Sequence, residues 1–344
     1  MHILPRITFI LTAIVVVHLN AAPVRIGDGI QPQIALGSNN EVILTWVHQN
    51  EIHFARSDDG GRLFSPSVKV AKPDTISAGM RRGPRIAGDN RRLVITTCIP
   101  DLQAWASSDG GKTWQGPNPV CDQKNASREG LQGLTSLNDG GFMVVWLDSR
   151  EGRTEIWGSR STDGIRWSPN QCIYRAPGGP VCQCCHPSII SNGKFVYVMW
   201  RNALDGFRDL YLTSSKDGGE QFGTAIKLGT GTWKLAGCPM DGGAVAVSPQ
   251  GQPIGVWRRD KTIFSAYDNK AETLIGNGTQ PYGACGPAGL GVAWQQDGDI
   301  IWHYGDKANV RLGSGRYPVV AANPKANPIV AWENGNSIWV DASP

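Results

Sequence analysis

Four short stretches of the chain repeat one pattern: "SDDGGRLF" at 57–64, "SSDGGKTW" at 107–114, "STDGIRW" at 161–167 and "SSKDGGEQF" at 214–222. Each carries Ser, any residue, Asp, any residue, Gly and then an aromatic, with the third copy one residue short. A single copy would be only a turn signal, because Asp-Gly pairs are common in turns. Four copies about fifty residues apart mean that one structural unit is reused along the chain. A second repeat counts the units. Apolar runs end in Trp at Trp46, Trp146, Trp200, Trp257, Trp294 and Trp332, and "LVITTC" puts Cys98 in the one gap. Each run is followed by a polar turn and an alternating segment such as "EIHFARS" or "DLYLTSS". That makes seven units of roughly 46 residues over 22–344. With 43 Gly, 13 Trp and no sustained 3.6-residue stripe, the chain reads as all-β.

The two ends of the repeat fit each other. "VRIGDGIQPQIA" at 24–35 resembles "VRLGSGRYPVVA" at 310–321, and the last unit stops after "SIWVDASP" without an outer strand of its own. The N-terminal strand is therefore predicted to complete the last unit and close a ring, which removes exposed sheet edges.

The Ser-x-Asp-x-Gly stretches resemble the Asp-box of the sialidase and BNR-repeat proteins. That resemblance implies a β-propeller in which each box turns between the third and fourth strands of a blade, and the seven units counted above make it seven-bladed. It makes Asp59, Asp109, Asp163 and Asp217 structural. It also places the boxes on the face opposite the mouth of the central channel, where inner strands begin and Trp-ended strands finish.

The first residues, "MHILPRITFILTAIVVVHLNAA", carry Arg6, an apolar run from Ile7 to Val17 and small residues at 21–22. This is the order of a secretory signal peptide over 1–21, too short to span a bilayer. It predicts a secreted or periplasmic monomer, residues 22–344, with no transmembrane segment after cleavage. The net charge of +4 comes from scattered residues, with no basic run of the kind that grips nucleic acid.

Export permits disulfides, and the chain has eight cysteines. Their densest cluster is "VCQCCHPSII" at 181–190. Inner strands are read as starting at Pro32, Pro84, Gly133, Pro187, Gly243, Pro287 and Pro318, so Cys182, Cys184, Cys185, His186, Cys238, Met240, Cys285 and Cys98 are expected at the channel mouth. Four chemistries fit that set. A disulfide, with Cys182–Cys238 as first choice, suits an exported chain. A copper or zinc site would draw on Cys184, Cys185, His186, Cys238, Met240 and Cys285 as soft ligands. Cys182, Cys185 and His186 also satisfy the C-x-x-C-H pattern of c-type haem. Cys184 inside the motif and the propeller loop around it count against haem. A redox-active thiol pair is the fourth.

Arg82, Arg85, Arg201, Arg258 and Arg316, with His186, are expected on the same face. Converging guanidinium groups suit a carboxylate, as in a carbohydrate or other anionic ligand. The resemblance to sialidases implies a tyrosine nucleophile, here Tyr317 or Tyr282, an acid/base aspartate, here Asp241, and arginines on the substrate carboxylate. The motifs diverge from that family: Pro precedes Arg85 in "GPRIAG", no glutamate adjoins either tyrosine, and seven units replace six blades. Two readings are thus carried forward. One is a glycan-binding propeller with exo-sialidase-like hydrolase activity. The other is a non-enzymatic propeller with a metal or protein-partner site.

Overall fold

A computed structural model describes residues 22–37, 39 and 41–342; the expected signal peptide lies outside them. The chain forms seven four-stranded antiparallel sheets arranged as the blades of a propeller. Blades one to six are consecutive in sequence, with inner strands at Ile30–Leu36, Arg85–Gly88, Gln132–Ser136, Ser188–Asn192, Ala244–Val247 and Thr279–Gly286. Blade seven runs Arg316–Asn323, Ala326–Asn334, Ser337–Asp341, and its outer position is taken by Val24–Asp28 from the other end of the chain. That strand pairs Val24 with Val340 and Asp28 with Ser337. Among the described residues, no helix is long and apolar enough to cross a membrane.

The core lies between blades rather than within any one of them. Ile34, Leu44 and Trp46 of blade one pack with Val319, Ala331 and Val340 of blade seven. Similar clusters join other neighbouring blades, as Val94 and Cys98 do with Val144 and Trp146. A second strand is therefore covered on both sides, which is why Phe142–Asp148 is buried throughout and reads as an unbroken apolar run. Five of the six strand-ending tryptophans are at most 2% exposed, and Cys98 is equally buried in the gap position.

The four Ser-x-Asp turns follow third strands and share one construction. In blade two, Ser107 Oγ donates to Asp109 (2.8 Å) and accepts from Gly111 N (2.9 Å), while Asp109 accepts from Lys112 N and Thr113 N (both 3.0 Å). The shortened copy keeps the bonds by letting Gly164 N, one residue earlier, donate to Ser161. Gly111 has φ +89°, and a Cβ there would lie 2.2 Å from Phe54 of the preceding blade. Each turn is thus a clasp against its neighbour, and Asp59, Asp109, Asp163 and Asp217 are taken up by main-chain amides. Hydrogen bonds from Thr113 and Ser107 hold Asp109 far below the ordinary carboxylate range. Asp163 falls to about 2, because amide donors from Arg166 and Ile165 outweigh its burial.

Candidate site at the channel mouth

Leu36 stands opposite Val42, which stands opposite Ser57, so inner strands finish on the face that carries the Ser-x-Asp turns. The other face collects the starts of inner strands and the ends of second strands. Here the structure corrects the inner strand of blade six. It starts at Thr279, and Gln280-Pro281 is its counterpart of Gln31-Pro32; Pro287 comes after the strand's far end. Gln31, Gln280 and Tyr317 share the same left-handed backbone, with φ of 55°, 54° and 52°. Cys285 consequently sits at the end of its strand, opposite Leu290, away from the mouth. It cannot join the other sulfurs, and it leaves the ligand pool. Burial raises its thiol to about 11.

The expected ring of open arginines is not what the mouth contains. Arg85 is buried and donates to the carbonyls of Gln132 (3.2 Å), Gly83 (2.9 Å), Pro84 and Arg81. Burial lowers it to about 10, which still leaves it protonated at neutral pH. Arg201, fully buried, donates to the carbonyls of Asp241 (3.0 Å), Arg208 and Arg258 (3.1 Å). Arg258 pairs with Asp241 (3.0 Å), Arg316 with Glu333 (2.6 Å) and Arg82 with Glu129 (3.4 Å). Arg85, Arg201 and Arg258 are structural cement, satisfied without a ligand carboxylate, whereas Arg316 is exposed and binds Glu333 through Nε alone.

The residue that sequence reasoning missed is Arg81. It is 3% exposed and reaches from blade two to the far side of the channel. Its Nε and Nη2 bind the side-chain and main-chain oxygens of Gln280 (3.0 and 2.9 Å), and its Nη1 binds the Pro318 carbonyl (2.8 Å). The guanidinium carbon lies 5.5 Å from the ring centre of Tyr282 and 5.8 Å from that of Tyr317. The only signal in the sequence was its position beside the expected Arg82.

Tyr317 and Tyr282 therefore flank a plug rather than an open pocket. Tyr282 accepts from Gln33 (3.3 Å), and Glu333 accepts from the amide of Gln31 and from Arg316. Asp241 is fully buried; its Oδ2 accepts from Arg258 and from Gln280 N (2.8 Å), and its Oδ1 has no hydrogen-bond partner among the described residues. His186 is 4% exposed, and neither ring nitrogen has a hydrogen-bond partner among them. Burial, then Arg81 and Arg85, push its pKa well below the usual range, so it stays neutral. Behind this layer a cavity of about 620 Å³, lined by Tyr282, Gln33, Ile86, Leu134, Ile189 and Val320, runs towards the opposite face.

The sulfur cluster is beside the plug. Cys185 N donates to Cys182 O (3.4 Å), a tight turn that sets Cys182 and Cys185 Sγ 3.2 Å apart. Cys184 faces the segment that links blade four to blade five and forms a disulfide with Cys238, Cα atoms 6.3 Å apart. The expected Cys182–Cys238 bridge is thus corrected: the turn directs Cys182 to Cys185 and leaves Cys184 to reach Cys238. Cys182 Sγ is still 3.6 Å from Cys184 Sγ, and Met240 packs on the group. The hydrogen bond from Cys185, opposed by burial, holds the Cys182 thiol below its ordinary range, while burial raises Cys185 well above it. The ligand atoms of Cys182, Cys184 and Cys238 all lie within 4.8 Å of one another. His186 is not in that group. Cys98, Cys121 and Cys172 are free and belong to blades two and three.

No protein-family model matches this chain, and no curated protein matches it. Solved structures do. An α-L-arabinanase from Penicillium chrysogenum, complexed with arabinobiose, is 15% identical with a TM-score of 0.53, covering 94% of this chain and 98% of that one. Virginiamycin B lyase from Staphylococcus aureus is 12% identical with a TM-score of 0.56, covering 92% and 97%. The intramolecular trans-sialidase from Ruminococcus gnavus is 11% identical with a TM-score of 0.50, covering 92% and 96%. At such identities the likeness is one of fold. The chain is a seven-bladed β-propeller.

Proposed function

We propose that this chain is an exported binding propeller whose working site is the sulfur cluster on the mouth rim, which in its reduced form holds a soft metal ion, copper(I) or zinc. One observation carries the reading: three cysteine sulfurs from two separate loops lie within 4.8 Å of one another, with a fourth 3.2 Å from Cys182. Sulfurs around a tetrahedral ion with bonds of about 2.3 Å stand about 3.8 Å apart. The Cys182–Cys184 spacing of 3.6 Å is close to that value. Thiolates with a thioether neighbour favour soft cations over calcium or magnesium. Because Cys184 and Cys238 form a disulfide, loading requires its two-electron reduction. Glycosidase chemistry has less support, since Arg85, Arg201 and Arg258 are already bound within the protein and Asp241 is sealed from solvent.

The test is metal stoichiometry on reduced protein, passed through a chelator and then titrated anaerobically with copper(I) or zinc against a colorimetric competitor. One equivalent bound by the wild type and lost in Cys184→Ser supports the site. No binding above the competitor's background rejects it. The glycan reading keeps the cavity beneath Tyr282, and hydrolysis of a fluorogenic sialoside that disappears in Tyr282→Phe would favour it instead.

A further inference from the structure

A cleft of about 410 Å³ opens next to the sulfur cluster, lined by Pro180, Cys182, Gln183, Ala203, Arg208 and Cys238 among others. Cys238 is exposed, so one sulfur of the disulfide can be reached from solvent while Cys184, 8% exposed, lies behind it. Arg208 is held across the same cleft. Its Nε donates to the Gly237 carbonyl (3.2 Å), and it makes no ion pair among the described residues. The other arginines of this mouth described above are committed to a carboxylate or to several carbonyls. The two terminal nitrogens of Arg208 make no hydrogen bond among the described residues, and Gly237, which accepts from its Nε, is the neighbour of Cys238.

We propose that the cleft is a thiol–disulfide exchange site for a small thiol that bears a carboxylate, with the carboxylate on Arg208 and the thiol directed at Cys238. The entering thiolate attacks Cys238 Sγ, forming a mixed disulfide; the Cys184–Cys238 bond breaks and its electron pair leaves on Cys184, which takes a proton from solvent. A second thiolate of the same class attacks the small molecule's sulfur in the mixed disulfide and releases Cys238. Two small thiols are thereby oxidised to one small disulfide, and the protein disulfide is reduced to two thiols. The displaced Cys184 sulfur comes free 3.6 Å from Cys182 and 4.0 Å from Cys185, within a pocket of sulfurs that can receive it. The exchange goes beyond metal binding and stands whether or not an ion enters afterwards.

The experiment measures opening of the disulfide in the purified, metal-free chain by quenched alkylation and peptide mass mapping. The probes are 3-mercaptopropionate, which has the carboxylate, and 2-mercaptoethanol, which lacks it. Their rate ratio is compared with the ratio for bis(2-hydroxyethyl) disulfide, which removes differences in intrinsic thiol reactivity. The protein is expected to favour 3-mercaptopropionate by roughly threefold to fivefold over that reference, the scale of one exposed ion pair. Arg208→Gln should bring the ratio back to the reference, and Arg208→Lys should retain part of the preference. A wild-type ratio equal to the reference overturns the proposal. So does an Arg208→Gln ratio equal to wild type, or a thiol-treated chain with no more alkylation at Cys184 and Cys238 than the untreated chain, in which the other six cysteines are already free. Metal titration plays no part in this readout, so the exchange site and the metal site can fail separately.

Discussion

Arg81 of blade two is bound on both oxygens of Gln280 in blade six, so a single side chain crosses the axis of the ring. The contact joins blades that are far apart in sequence and makes the closed mouth part of the fold rather than a resting state of an empty pocket. Replacing Arg81 with Met strands the Gln280 and Pro318 oxygens in a buried layer. Unfolding free energy is expected to fall by roughly 3 kcal/mol or more. Arg81→Lys should recover only part of it, since an ammonium cannot span both oxygens of Gln280 and the Pro318 carbonyl at once. Urea denaturation with an unchanged m-value checks this.

The Ser-x-Asp clasps make a pH prediction. Asp163 is held at about 2 against an ordinary 3.8, so its contribution is present above pH 4 and is lost as pH falls from about 4 towards 2. Asp163→Asn should flatten the acid limb of stability in that window and cost stability at neutral pH, where the charged acceptor is missing. The denaturation midpoint measured from pH 2 to 7 for both proteins decides the point.

Removing residues 22–28 uncovers Ser337–Asp341 as a free strand edge and takes away the carbonyl of Asp28 that binds Trp46 Nε1 (2.9 Å). The truncated chain is expected to melt earlier and to aggregate in a concentration-dependent way. Deleting the residues after Asp341 should be less harmful, because the last strand ends there and its pairing with Val24–Asp28 is kept. Thermal scans with light scattering would show the difference.

The position of Cys285 yields a control for the metal site. Cys285→Ala should leave metal stoichiometry unchanged, because the residue lies opposite Leu290 at the far end of its strand. Cys238→Ser should abolish tight binding. Loss of metal in Cys285→Ala would mean that the ion sits elsewhere than between the loops of Cys184 and Cys238.

The blade count was legible because it rests on features the fold uses again and again: a run buried on both faces, a strand-ending Trp, a clasped turn. The site was less legible because its determinants occur once. Pro287 looked like the start of an inner strand, while the true start, Gln280-Pro281, repeats Gln31-Pro32 but is followed by Tyr-Gly-Ala in place of Gln-Ile-Ala. That single slip carried Cys285 to the wrong face. The choice between Cys182 and Cys184 for the bridge to Cys238 was set by a tight turn that leaves no mark in spacing alone. The arginines were placed on the correct face, but whether a guanidinium is free depends on carbonyls from other blades, as the three acceptors of Arg201 show.

The plug also has a geography. Met240 packs on the cysteine sulfurs, and its carbonyl accepts from Gln280 Nε2 (2.6 Å). Gln280 in turn holds Arg81, whose guanidinium lies against the Tyr282 ring that lines the floor of the inner cavity. The ring is therefore a cup rather than a conduit, and its base is a thin partition with sulfur chemistry on one side and a hollow that opens towards the opposite face on the other. A rearrangement of Met240 when the disulfide opens would pass through only Gln280, Arg81 and Tyr282 before it altered the shape of that hollow.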